Sequence, residues 1–398
     1  KKLQSLIKGE VLFDDFSRGR YSTDASIYQI TPIGIVIPKD TDDVLSVLEY
    51  CKLNELPILP RGAGSSQCGQ TVGECVVLDY SKFQNQILDI NLVEKTAWVQ
   101  PGLVLDQLNV KLKQHDLCFP VDVSTGNNSC GSRSLYYGNM VHNVEAVEAI
   151  LDDGSLYTFE NINKDYLITK NNKNRQYKII EELIKIYLNN KQEINENFPK
   201  TQRRVGGYNL DLINPNGFNT SNILVGSEGT LSLFNKVKLK LSPIPKQKML
   251  GLCAFQNFRQ AMEITKEIVK LKPTAVELMD DNLLNLAKLI PMFQGSIKKY
   301  FQGNPQAVLM VEFIDDNLNE VKHKIKDLES LILSQNKNNV FSFYENLKDQ
   351  NEIFEMRKAG LNILMSLKGD KKPVAFIEDC AVSLDHLADY TTRLNEVF

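Results

Sequence analysis

No Cys-x-x-Cys pair occurs in this chain, no two histidines stand at ligand spacing, and no apolar run approaches the roughly 20 residues of a membrane-spanning helix. The cysteines, an odd number, are scattered at Cys51, Cys68, Cys75, Cys118, Cys130, Cys253 and Cys380, which excludes both a disulfide framework and a metal-cluster pattern. A reducing cytoplasm is expected, with peripheral association at the inner membrane face through a partner left open. Cys130 and Cys380 read as small packing residues. The opening Lys1-Lys2-Leu3-Gln4 lacks a signal-peptide core. With a formal net charge of −3 there is no broad basic field, which argues against nucleic acid. An acidic small substrate would have to meet local positive groups.

Both common nucleotide fingerprints are missing as well. Gly62-x-Gly64 has no third glycine in Rossmann position, and no lysine followed by serine or threonine completes a phosphate-binding Walker loop. What is there is a different small-residue loop. Pro60-Arg61-Gly62-Ala63-Gly64-Ser65-Ser66 follows directly on the apolar run Leu56–Leu59, so a strand is expected to empty into a segment with almost no side-chain bulk. Backbone N–H groups in such a loop converge on an anion, and glycine reaches the angles this requires. Gly126–Ser134 and Gly226-Ser227-Glu228-Gly229-Thr230 repeat the theme, which points to a large phosphate-bearing cofactor; taken alone, each loop also suits an ordinary turn.

At 398 residues the chain exceeds the roughly 250–300 at which one core usually splits, so two domains are expected. Ile33–Pro38 reads as a strand, and Thr41 as the N-cap of a helix with Val44, Leu45, Leu48 and Cys51 on its apolar positions. Further strands are expected at Val76–Asp79 and Lys95–Val99, a helix from Val104 to Gln114, and a hairpin joining Val144–Leu151 to Ser155–Phe159. Ile179, Ile180, Leu183, Ile184 and Tyr187 fit one helical face, in a stretch whose charges read as a solvated surface. Pro243 and Pro245 mark a boundary. Beyond it, strands at Met249–Phe255, Ala275–Met279, Ala307–Phe313 and Val340–Tyr344 and helices at Phe258–Lys270 and Leu318–Leu333 give the β-α-β-β-α-β order of a ferredoxin-like unit.

Tyr21–Tyr28, the Pro60–Gln70 loop, Asn127–Gly138, Val225–Leu231, Glu277–Asp280 and Pro373–Val382 together resemble the FAD-linked oxidases of the vanillyl-alcohol-oxidase (PCMH-type) superfamily, in the branch of D-lactate, glycolate and D-2-hydroxyglutarate dehydrogenases. Lys368-Gly369-Asp370 and Ile377–Val382 are similar to the large bacterial members that fuse a flavin module to an iron–sulfur module. The resemblance implies an α+β fold: an arm over residues 1–27, a two-part FAD-binding domain over 28–243, and a ferredoxin-like cap over 244–398 that is expected to be C-terminally incomplete. It implies FAD, with any iron–sulfur cluster confined to a further domain, and oxidation of a small D-2-hydroxy acid whose electrons pass to an iron–sulfur domain or a quinone chain. A transferase of the alkyl-glycerone-phosphate-synthase type, or a FAD-binding module without its own activity, are the alternatives.

The resemblance assigns the FAD pyrophosphate to Pro60, Arg61, Gly62, Ala63, Gly64, Ser65, Ser66, Gly69 and Gln70, with Asn127, Asn128, Ser129, Gly131 and Ser132 approaching from the other side. Pro120, Asp122 and Ser124 border the flavin ring in relatives, and Gly138, Val144, Glu228 and Gly229 complete the cofactor set. Covalent attachment in the superfamily uses a histidine or cysteine where this chain has Ser65 and Ser66, so dissociable FAD is expected. Arg357 resembles the family's carboxylate-binding arginine, and Arg133 is a second candidate. The lysine that some relatives place near Val374–Glu378 aligns with Ile377. The catalytic base of relatives is a histidine in a metal-binding segment after the point where this chain ends; His115, His142, His323 and His386 have no ligand spacing, and no metal site is expected. Relatives also carry an alanine-, threonine-, isoleucine- and glycine-rich insert between Thr125 and Gly126, which here is either deleted or left out.

Overall fold

A computed structural model describes residues 2–121, 131–168, 174–204, 206–336, 339–360, 363 and 380–397. Asp122, Ser124, Asn127, Asn128, Ser129, Cys130, the Thr125–Gly126 junction, Lys368–Asp370 and Ile377 lie outside the described residues.

The first lobe holds β1 (Glu10–Leu12), β2 (Gly34–Ile37), β3 (Ile58–Arg61) and β4 (Val76–Asp79) in the spatial order β1-β2-β4-β3. β2, β4 and β3 run parallel and β1 antiparallel. The helix Thr41–Leu53 crosses from β2 to β3 and buries Val44, Val47 and Cys51, with Leu45 and Leu48 at the edge of the same core. Its N-cap is Asp40, not Thr41. The Asp40 carboxylate accepts the Asp43 N–H, whereas the Thr41 hydroxyl points away to Asn235 Oδ1 at 2.7 Å. Asp43 in turn accepts the N–H groups of Lys8, Gly9 and Lys39, which ties the N-terminal arm to the lobe.

The second lobe contains β5 (Ile87–Asn91), β6 (Thr96–Val99), the two-residue β7 (Leu117–Cys118), β8 (Val144–Ile150), β9 (Leu156–Phe159), the short pair β10 (Asn161–Asn163) and β11 (Gly217–Asn219), β12 (Leu233–Lys240) and β13 (Ser242–Pro243). An antiparallel sheet in the order β5-β6-β12-β8-β9 closes over the helix Leu105–Lys113. The expected hairpin is β8–β9, turning at Gly154 with φ +80°. Ile150 and Leu233 of this sheet share a core with Val36, Val76 and Leu78 of the first, so the two lobes are packed together. The helix Arg175–Asn189 lays Ile180 into a small core with Ile162, Ile213, Phe218 and Ile223.

The last unit, β14 (Gln247–Phe255), β15 (Ala275–Asp280), β16 (Ala307–Asp315) and β17 (Val340–Tyr344), is an antiparallel sheet in the order β15-β16-β14-β17, the ferredoxin-like order expected from sequence. Alternation along the strands gives it two buried faces. Met249, Cys253, Phe255, Leu309, Val311 and Phe313 pack under the helices Phe258–Lys270 and Leu318–Gln335. Leu250, Leu252, Met279, Val308 and Met310 pack against three more helices, Asp281–Lys288, Pro291–Tyr300 and Leu347–Lys358. The first two of these stand between the second and third strands, in a connection for which the sequence analysis names no element. Leu283, Leu284 and Ala287, then Phe293, Ile297 and Tyr300, recur at helical spacing on either side of Pro291, which starts the second helix.

Candidate cofactor and substrate site

The loop after β3 is held by its own first residue. The Arg61 guanidinium donates to the carbonyls of Tyr21 (3.3 Å), Thr71 (2.9 Å) and Thr23 (2.9 Å), and stacks 5.2 Å from the centre of the Tyr21 ring. The side chain therefore closes the loop onto the arm, and what Arg61 offers a cofactor is backbone. Tyr21 is anchored in turn, its hydroxyl donating to Asp79 at 2.5 Å, and burial pushes that phenol far up from its ordinary value. Gly64 has φ +64°, and a Cβ there would stand 2.3 Å from an Arg61 guanidinium nitrogen. Gly69, φ +84°, backs onto the Tyr28 ring in the same way. Gly62 differs, because a Cβ on it would meet nothing within 4 Å. The Ser66 hydroxyl is used inside the loop, bonding Gln70 Oε1 and accepting from the N–H groups of Cys68 and Gln70.

The turn 226–230 meets this loop. Gly226, Glu228 and Gly229 all have positive φ, and a Cβ on Gly229 would be 2.6 Å from the Pro60 ring. Ser227 is buried, and its hydroxyl has no hydrogen-bond partner among the described residues. The Thr230 hydroxyl donates to the Ser227 carbonyl and lies 2.8 Å from that of Tyr208. Tyr208 and the neighbouring Arg204, whose guanidinium pairs with both carboxylate oxygens of Asp211, were missed in the sequence; the run Arg203-Arg204 followed by Gly206-Gly207-Tyr208 was the available signal.

Of the remaining expected residues, Pro120 and Gly131 are buried and Ser132 is half-buried at the foot of the helix Ser134–Tyr137. Gly138, φ +74°, makes the turn out of that helix. The Val144 side chain lies in the second lobe's core and its carbonyl accepts from Asn219. The Pro60 loop and the 226–230 turn are thus together; the partner loop 126–130 lies outside the described residues.

The cap side is built from charge. Arg133, directly after Gly131-Ser132, donates from Nε to Glu312 Oε1 (2.7 Å) and from its terminal nitrogen to Oε2 (3.1 Å). Lys248 Nζ reaches the same Oε2 at 2.7 Å. Glu312 is fully buried, in the middle of β16. Burial would raise its carboxyl, but the hydrogen bonds and charges of Arg133 and Lys248 outweigh it and hold the group below the usual carboxylate range. Arg357, in the helix Leu347–Lys358, pairs with Glu277 of β15 at 3.0 Å. Its Nε is buried and has no partner among the described residues. Both arginines singled out in the sequence therefore face one side of the cap sheet, each held by a glutamate. Glu312 and Lys248 were missed, although a lone acid in the otherwise apolar run Ala307–Ile314 was a readable signal. Among the described residues no group of three or more His, Cys, Asp and Glu is arranged to hold a metal.

Residues 32–160 match the family model described as FAD binding domain, and residues 244–398 match FAD linked oxidases, C-terminal domain. The chain belongs to the FAD-linked oxidase superfamily. It is 28% identical to the D-2-hydroxyglutarate dehydrogenase of Haemophilus influenzae, over 97% of this chain and 40% of that protein. To the glycolate oxidase subunit GlcD of Bacillus subtilis it is 27% identical, over 98% of this chain and 74% of that one. The chain spans about two fifths of the length of the curated D-2-hydroxyglutarate dehydrogenases it matches. A solved alkyldihydroxyacetonephosphate synthase superposes with a TM-score of 0.64 and 16% identity, covering 92% of this chain and 67% of that one, a likeness of fold alone. The family's cofactor is FAD, and the site fits it: a loop and a turn bent by positive-φ residues, open space beside Gly62, and the orphaned Ser227 hydroxyl where loop and turn meet. No helix among the described residues is long and apolar enough to cross a membrane.

Proposed function

We propose that this protein oxidises a D-2-hydroxy acid of the D-lactate or D-2-hydroxyglutarate class to the 2-oxo acid. Bound FAD would accept hydride from the substrate's second carbon and be reduced, while the hydroxyl proton passes to a general base or to water as the C–O bond becomes the carbonyl. The protein's part is placement. The backbone of the Pro60–Gln70 loop, with Gly131, Ser132, Glu228 and Gly229, holds the diphosphate and flavin ends of the cofactor. Arg357 takes the substrate carboxylate with its planar fork. The observation that carries this reading is the buried Arg357 Nε, a donor without a partner among the described residues, beside a terminal nitrogen already paired with Glu277. Arg133, fixed by Glu312, adds positive charge at the same seam. The cofactor is held without a covalent bond, since Ser65 and Ser66 stand where attachment would need histidine or cysteine. Electrons leave to an iron–sulfur domain or a quinone chain, and the protein works in the cytoplasm, at most peripherally on the inner membrane face.

Anaerobic titration of the FAD-loaded protein with D-lactate, D-2-hydroxyglutarate, glycolate and the L-enantiomers tests this. A D-2-hydroxy acid is expected to bleach the visible flavin band, and Arg357→Met to weaken the KM by about 10- to 100-fold, the value of a charge-assisted pair. A flavin that no member of the panel reduces would remove the dehydrogenase reading. Yellow colour retained on acid-precipitated polypeptide would contradict dissociable FAD.

A further inference from the structure

Glu312 is out of place in its strand. The first eight residues of β16 are buried, and its neighbours on the same face, Val308 and Met310, belong to the apolar core beneath the helices Asp281–Lys288 and Leu347–Lys358. A carboxylate there has no water to solvate it, so it persists only where fixed cations replace the solvent. Among the described residues it has two, and they come from different parts of the molecule. Arg133 is supplied by the cofactor lobe, one residue after Gly131-Ser132, as the N-cap residue of a helix that packs against β15. Lys248 comes from β14 of the cap, and its ammonium also sits 4.9 Å from the centre of the Phe354 ring. Phe354 is three residues from Arg357 on the same helix, and Arg357 returns to the sheet at Glu277. One buried acid thus stands between the end of a cofactor loop and the helix that bears the proposed substrate arginine.

We propose that Glu312 is a positioning residue: it clamps Arg133, and with it the end of the cofactor loop, onto the cap, so that affinity for FAD depends on a residue of the cap sheet. Two bonds from a planar guanidinium to two carboxylate oxygens fix direction as well as distance, which a single contact would not. A neutral side chain at position 312 leaves Arg133 and Lys248 facing each other with no charge between them, and the two-bond hold on the guanidinium is lost. The loop end then loses its anchor on the cap. The proposal rests on the reading of the loops as a FAD site, not on the identity of the hydroxy acid.

The test is a FAD titration followed by flavin fluorescence, with thermal unfolding measured in parallel, on the wild type, Glu312→Gln, Arg133→Met, the double variant and Glu312→Asp. Glu312→Gln and Arg133→Met are each expected to raise the FAD Kd about tenfold. The double variant should be no weaker than the worse single, because the two side chains act as one contact. Glu312→Asp keeps the charge and should recover most of the affinity, a rescue that loss of strand packing alone would not give. Wild-type protein that binds FAD alongside folded variants with unchanged Kd overturns the clamp and leaves the cofactor site standing. Fully additive losses in the double variant overturn it too. A wild type that takes up no FAD overturns both. If Glu312→Gln does not fold, Arg133→Lys decides: it keeps the charge but loses the fork, and an unchanged Kd there counts against the proposal.

Discussion

The loop after β3 and the cap face that carries Glu277 and Glu312 prepare for negative charge in different ways. Around the loop the work is done by backbone. Positive-φ glycines bend it, and Arg61 ties it to the arm through three carbonyl groups. On the cap the backbone is ordinary antiparallel sheet, and side chains supply everything: Arg133, Lys248 and Arg357 set against Glu277 and Glu312, three cations to two acids. A diphosphate is large, and contiguous N–H groups can surround it. A small carboxylate needs one or two donors in fixed positions, which long side chains provide only when something holds them. The loop side should therefore be sensitive to added bulk and the cap side to lost charge.

The largest effect should come from Gly64→Val. A side chain there faces both a disfavoured backbone region, costing about 1–3 kcal/mol, and the Arg61 guanidinium at 2.3 Å. Thermal stability and FAD binding should fall together, by several degrees and on the order of 100-fold. Gly62→Ala separates the two. Its Cβ meets open space, so the melting temperature should hold while FAD affinity drops by about tenfold if the cofactor fills that space. An unchanged affinity in Gly62→Ala would break the comparison by removing the diphosphate from this loop.

A smaller effect tests the same loop without mutation. Cys68 lies in it and is exposed, as is Cys380, which belongs to the cap, whereas Cys51, Cys75 and Cys253 are buried. Burial pushes the thiols of Cys51 and Cys75 up to about 11, so these stay protonated and slow to alkylate at neutral pH. Iodoacetamide should label Cys68 and Cys380 first, and FAD should slow Cys68 alone by about tenfold as the loop closes on its ligand. Equal protection of both cysteines, read by mass spectrometry, would indicate general stabilisation instead.

How much of this could be read from the chain depends on where each residue's partners are. The Pro60–Ser66 loop announces itself because its composition is the signal, and the cap's four strands and two main helices follow from periodicity. Arg61 reads as a loop residue, and nothing local tells that its guanidinium turns back to Tyr21 and Thr23, 38 and more positions earlier. Glu312 is further out of reach, since Arg133 lies 179 residues away, at the start of a helix in the cofactor lobe. The helices Asp281–Lys288 and Pro291–Tyr300 went unread for a different reason: Pro291 breaks one apolar pattern into two short ones, each below the length at which helical spacing stands out. Residues whose meaning is set by neighbours in sequence were legible; those set by neighbours in space were not.

The finest distinction between the two sides is in acid. Glu312 is held below the ordinary carboxyl value, so it contributes stability above its unfolded value of about 4.3, and that contribution is lost as pH falls through the folded value. The groups facing it are Arg133 and Lys248, with Tyr137 close by, whose phenol burial pushes up to about 12. Asp349, held down by Lys299 and Tyr300, Glu352, held down by Ser296 and Tyr300, Asp315, held down by the Asn317 N–H, and Asp389, held down by Arg259, titrate in the same direction but are solvent-screened and should each add little. The cap should therefore lose stability on acidification mainly through one carboxyl. Glu312→Gln is expected to melt lower than the wild type at pH 7 and to show a flatter decline below about pH 4, so that the two melting curves converge. Parallel declines would mean that Glu312 is not the acid-sensitive group, and that the cap holds its negative charge as diffusely as the loop side holds its backbone donors.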